Sequence, residues 1–100
     1  MALTVSSLVK TVTSAGTAEA LGSGLVLGLI IKAQADNSGD IYIGDSTVDS
    51  ATGFALPAGT SISISDIANS GHSGSEKLDL SQIYIDAATS SDGVEVLTSA

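Results

Sequence analysis

The sequence predicts an all-β fold, a small antiparallel β-sandwich or barrel, and three observations carry that expectation. Residues 24–65 hold three apolar or alternating segments cut apart by Gly, Asn, Asp, Ser and Pro clusters, the pattern of short strands joined by tight turns. Val, Ile and Leu dominate the apolar set, with Ser and Thr dense between them, a composition that suits pleated, half-buried surfaces better than helices. Tyr42, Phe54 and Tyr84 are the only aromatic residues, so the core must be aliphatic. One hundred residues fit one domain, residues 1–100, which buries roughly 60–68% of its unfolded surface.

Taken in order, residues 3–13 give Leu3, Val5 and Val9 at period two, and Met1, Val5, Leu8 and Val12 at helical spacing. The many Val, Thr and Ser residues tip this segment towards a strand. Residues 1–13 are therefore expected as an N-terminal arm or an edge strand. Residues 14–17 read as a turn and 18–21 as a short element of undetermined type. Residues 25–34 read as a central strand, with Leu25, Leu27, Leu29 and Ile31 on one face and Val26 and Ile30 on the other. Apolar residues on both faces require both to be covered, by a second sheet or a neighbouring subunit.

Asp36, Asn37, Ser38 and Gly39 supply turn chemistry. Residues 40–44 follow as a strand, Ile41 and Ile43 inward and Tyr42 outward. Residues 45–52 are a polar loop, 53–56 a short apolar return, and Pro57, Ala58 and Gly59 a tight turn. Residues 60–65 alternate cleanly, so Ile62 and Ile64 are expected in the core, and Ile62→Asp should be severely destabilising. Residues 66–77 have little to bury and read as a surface loop. Residues 78–86 resume the strand pattern with Ile83 and Ile85 inward and Tyr84 outward. Residues 90–93 turn the chain, and Val94, Val96 and Leu97 close the domain.

Eleven acidic side chains against Lys10, Lys32 and Lys77 leave a formal net charge of −8. Three lysines cannot neutralise many phosphates, so no nucleic-acid partner is expected, and an anionic membrane surface would repel the chain. The acidity instead favours solubility at high copy number. No cysteine is present, so neither a disulfide nor a thiolate zinc site can supplement a thin core. Small domains without such staples gain stability by associating, and a homo-oligomer is expected. The first residues lack a basic stretch followed by an unbroken apolar run, so no secretion signal is expected. The longest apolar run, residues 25–31, is far too short to span a membrane.

No constellation for catalysis emerges, and no catalytic, cofactor-binding or metal-ligating residue is assigned; no enzyme activity and no cofactor are expected. His72 sits in a Gly/Ser loop, and no serine has the strand–turn–helix setting of an activated nucleophile. Asp36, Asp40, Asp45 and Asp49 lack the ligand spacing of a calcium loop and are better explained as turn carboxylates. The glycines at 22–24 and 71–74 lack the flanking strand, helix and lysine of a phosphate-binding loop. Tyr42 and Tyr84 have two equal readings. They cover neighbours on an outer sheet face, or they belong to a binding surface, where tyrosine buries area with few rotors to freeze.

Residues Ile30-Ile31-Lys32-Ala33-Gln34, then Asn37-Ser38-Gly39-Asp40-Ile41-Tyr42-Ile43-Gly44, then Gly53-Phe54-Ala55-Leu56-Pro57-Ala58-Gly59 form an ordered series of motifs. Asp79-Leu80-Ser81-Gln82-Ile83-Tyr84-Ile85 and Val94-Glu95-Val96-Leu97 complete it. The series resembles small β domains of tailed-bacteriophage virion proteins, over about three-quarters of the chain. Thr60 departs from it where a glutamate is usual, and residues 66–77 look like an insertion. The resemblance implies a non-enzymatic virion structural protein, made in the host cytoplasm. A capsid decoration (cement) protein on the capsid surface fits best, binding the major capsid protein and stabilising the assembled head. Local symmetry axes of a shell favour a homotrimer. The alternative is a tail, head-fibre or receptor- or glycan-binding module of the virion.

Overall fold

The computed structural model describes residues 4–64 and 77–100. Among the described residues strand accounts for 47% and helix for 4%, and the strands pair antiparallel throughout, so the protein is all-β. In chain order the strands are β1 (Val5–Thr11), β2 (Glu19–Ala20), β3 (Leu25–Val26), β4 (Gly28–Ala33), β5 (Ile41–Gly44), β6 (Phe54–Leu56), β7 (Ser61–Ser63), β8 (Leu78–Asp79), β9 (Tyr84–Ala87) and β10 (Gly93–Ser99). They form one sheet in the order β1-β10-β4-β7, a second in the order β2-β9-β5-β6, and a two-stranded ribbon of β3 and β8.

The core lies between the two four-stranded sheets. Leu29, Ile31, Ala33, Val94 and Val96 come from the first, and Ile41, Ile43, Leu56, Ile85 and Ala87 from the second. Period-two alternation explains each contribution, because β4, β5 and β10 bury every second residue. Val12 and Leu21 close the end where the chain passes from β1 to the second sheet, and both are fully buried.

Several expectations need correcting. Residues 25–34 are two strands rather than one. Val26 and Leu29 are both buried although an odd number of positions apart, so the inward face changes between them. At that point the chain leaves the β3–β8 ribbon and joins the first sheet, where the Leu27 amide donates to the Ser99 carbonyl at 2.7 Å. The result leaves Leu25 and Ile30 exposed rather than covered. Residues 78–86 are likewise interrupted, by a 3₁₀ turn at Leu80–Gln82 that the Asp79 carboxylate caps by accepting from the Ser81 amide. That turn drives Leu80 into the core and leaves Ile83 only half-buried. Val48, inside the polar loop, is buried at 4%. Leu97 faces outward, since Val96 occupies the inward phase of β10. Ile62 and Ile64 are half-buried at the sheet's β7 edge, where only one side has a neighbouring strand.

The ambiguity of the first segment resolves as strand, with residues 5–11 at the sheet edge opposite β7. Residues 57–60 form a turn closed by the Thr60 amide donating to the Pro57 carbonyl at 3.1 Å, with Gly59 at φ +80°. A side chain at that position would be strained, which is why glycine stands there. Ser91 holds a comparable φ of 75° between β9 and β10 without that freedom. The expected loop at residues 66–77 lies outside the described residues except for Lys77.

Candidate binding faces

The β1-β10-β4-β7 sheet turns one face to the core and the other to solvent. Its outward residues are Val5, Ser7, Val9 and Thr11 on β1, Glu95 and Leu97 on β10, Ile30 and Lys32 on β4, and Ser61 and Ser63 on β7. Strand register sets Leu97 between Ser7 and Ile30, and Glu95 between Val9 and Lys32. Val5 is 65%, Val9 60%, Leu97 46% and Ile30 42% exposed. Single exposed aliphatics are ordinary; these four share one sheet face. Two shallow depressions on this face, about 240 and 410 Å³, share Ile30 and Leu97 in their walls.

Charge on this face is balanced. Lys32 Nζ lies 3.8 Å from Glu95 Oε1, both side chains about half exposed, so the pair adds little stability. Glu95 is the only carboxylate among the face's outward residues. The remaining acidic residues of the described chain sit on the second sheet, the ribbon and the loops. An acidic molecule therefore presents one broad face that is electrically neutral and carries four exposed aliphatic residues among serine and threonine.

The second sheet brings the two predicted tyrosines together. Tyr84 pairs in register with Gly44, and Tyr42 with Asp86, so both rings stand on the same outer face as diagonal neighbours. Tyr42 is half-buried because the 45–53 loop crosses it, and a Cβ on Gly53 would lie 2.4 Å from the Tyr42 Cβ. On the same side Asp86 is buried at 2% beneath the 14–17 turn, and it accepts from the Gly16 amide at 2.9 Å. Tyr42 and Tyr84 are both half-buried on this outer face.

Two of the four aspartates weighed for a cation, Asp45 and Asp49, are engaged locally as turn carboxylates. Asp45 accepts from the Thr47 hydroxyl and amide at 2.7 and 2.9 Å, and the hydroxyl contact above all holds its carboxyl below the usual range. Asp49 accepts from the amides of Ala51 and Thr52, the first chiefly lowering its pKa. Among the described residues no three His, Cys, Asp or Glu converge as metal ligands. His72 and residues 71–74 lie outside the described residues.

Sequence patterning missed Asp92. Its carboxylate is buried and accepts from the amides of Ser38 and Gly39 at 2.9 Å each. Asn37 completes the link, accepting from the Gly93 amide at 3.0 Å and donating to the Gly93 carbonyl at 2.9 Å. The 36–39 turn and the 89–92 turn are thereby locked together at one end of the sandwich. Only the Asp-Gly pair at 92–93 hinted at this, and its partner 54 positions away had no local signature.

Glu19 makes an analogous tie at the β1 end. It accepts from the Thr13 amide at 2.7 Å and pairs with Lys10 Nζ at 3.0 Å. The amide contact first, then Lys10, holds its carboxyl below the ordinary glutamate value. A lowered folded pKa means stability that is present above the unfolded pKa and lost as pH falls through the folded one. Glu19→Gln should accordingly lower the thermal midpoint at pH 7 and leave it unchanged near pH 2, a difference that paired calorimetric scans would read.

No protein-family profile, curated protein or solved structure matches the chain.

Proposed function

We propose that this is a non-enzymatic structural protein of a bacteriophage virion, a capsid decoration protein that binds the assembled shell through the outer face of the β1-β10-β4-β7 sheet. The observation that carries the proposal is the character of that face: open, apolar at Val5, Val9, Ile30 and Leu97, and charge-balanced on a chain of net charge −8. A flat surface of this kind suits contact with another protein's flat surface rather than enclosure of a small substrate. The ordered motif series from Ile30 to Leu97 supports the virion assignment, and the acidity of the remaining surface suits a crowded, solvent-facing layer. Binding the assembled shell in preference to free capsid subunits stabilises the shell by mass action, and homo-oligomeric copies add avidity without strong individual contacts.

Ile30→Glu tests the assignment of this face. The side chain is solvent-exposed, so the variant should fold with a thermal midpoint within a few degrees of the wild type. A carboxylate there meets the apolar partner unpaired, and occupancy on preassembled, expanded shells should fall at least tenfold at equal protein concentration. Unchanged occupancy would move the contact elsewhere.

A receptor- or glycan-binding role in the tail or head fibre is the second proposal, and the shared face of Tyr42 and Tyr84 favours it. Both tyrosines are half-buried, and the accessible part of such a ring is what a sugar ring stacks on. Loss of glycan-array binding in a Tyr84→Ala variant would support that role.

A further inference from the structure

The outer edge of β1 is the longest strand edge without a partner among the described residues. Thr4 and Ala100 exchange both backbone hydrogen bonds, at 2.8 and 2.9 Å, and the Val12 amide donates to the Asp92 carbonyl at 2.9 Å. Even-numbered residues therefore bond to β10. The amides and carbonyls of Val5, Ser7, Val9 and Thr11 point away from the sheet. Natural sheets blunt such an edge with charged side chains, lysine above all, with proline, a bulge, shortness or a covering element. β1 has seven residues, no proline and an unbroken register with β10, and its single lysine, Lys10, is drawn away to Glu19, so the edge is open to pairing.

The geometry points to a second copy of this chain as the partner, its β1 running antiparallel to the first about a two-fold axis at Ser7. In that register Ser7 faces Ser7, and Val5 of each copy faces Val9 of the other. The two most exposed valines of the edge then cover one another on the outer face. β1 carries no carboxylate, and its one charged residue, Lys10, is already engaged by Glu19. The nearest acidic residue on that face, Glu95, would lie about 20 Å from its counterpart, three strand spacings across and four residues along. That distance is about two and a half Debye lengths at physiological salt, so the acidity of the chain does not oppose the contact. Pairing yields an eight-stranded sheet and joins the two outer faces into one continuous apolar surface. It also makes the assembly two-fold, in place of the three-fold ring that shell symmetry suggested.

The absence of cysteine makes the test direct. Opposed Ser7 Cα atoms in a hydrogen-bonded pair stand about 5.5 Å apart, within disulfide range. Thr11 would stand about 27 Å along the strand from its counterpart. Wild-type protein at 100 μM should sediment as a dimer, Ser7→Cys should form a covalent dimer under mild oxidation at least tenfold faster than Thr11→Cys, and Val9→Lys should be monomeric with wild-type strand content. A wild-type monomer or trimer, equal cross-linking of the two cysteine variants, or a dimeric Val9→Lys protein would overturn the pairing. Shell occupancy is read separately with Ile30→Glu, which lies on β4 away from the paired edge, so this pairing can fail while the proposed function stands.

Discussion

Ile31→Asp should abolish the fold at 25 °C. Ile31 is fully buried at the centre of β4, with Val96 opposite it on one side and Ile62 on the other. The substitution removes apolar packing that costs about 2–5 kcal/mol to lose even in a conservative truncation. It also places a carboxylate among aliphatic groups, where no described cation is at hand, at a further cost of several kcal/mol. Total stability of a chain this size is about 5–15 kcal/mol, so the sum matches or exceeds it. Ile62→Asp makes the instructive contrast. It lies one strand further out in the same register, yet is only half-buried on the edge strand, so its carboxylate can turn to solvent. A loss of about 1–3 kcal/mol is expected there. Circular dichroism with urea titration reads both: no folded baseline for Ile31→Asp, and a shifted but cooperative transition for Ile62→Asp. A folded Ile31→Asp protein would mean that the faces of β4 are reversed.

Asp92→Ala should produce the second-largest loss, about 2–4 kcal/mol, because one carboxylate serves two amides of a separate turn and charged hydrogen bonds are the costly ones to remove. The effect should be local as well as global. Hydrogen exchange at the Ser38 and Gly39 amides should accelerate strongly while amides in the centre of β10 remain protected. Asp92→Asn retains one acceptor oxygen and should recover part of the loss. Unchanged exchange at residues 38 and 39 in Asp92→Ala would show that the 36–39 turn is held by Asn37 alone.

These two sites also show what was legible in the residues. Alternation at Ile41, Ile43, Val94 and Val96 named core positions correctly, because period-two patterning is a local property of a strand with one solvated face. It failed where the chain changes sheets. The run through residues 25–31 has apolar side chains at every position but Gly28, so nothing local marks the phase change between Val26 and Leu29. The 3₁₀ turn at Leu80–Gln82 was hidden for a similar reason, since its Asp79–Ser81 cap resembles any polar pair. The candidate faces divide in the same way. Tyr42 and Tyr84 were visible as outward tyrosines, but only the β5–β9 register sets them side by side. Val5, Val9, Ile30 and Leu97 were legible as apolar residues and were read as buried or in an arm. Their convergence on one open face depends on the pairing of β1 with β10 and of β10 with β4, which joins the two ends of the chain to its middle.

The most direct test of the proposed role is to prepare virions with and without this protein and determine both by cryo-electron microscopy, following DNA retention on heating in parallel. Ordered density is expected over the shell of the complete particle and absent from the depleted one, with the β1-β10-β4-β7 face turned towards the capsid and earlier DNA release from depleted heads. Shells bare in both particles, with the protein at the tail tip and equal thermal release of DNA, would contradict it.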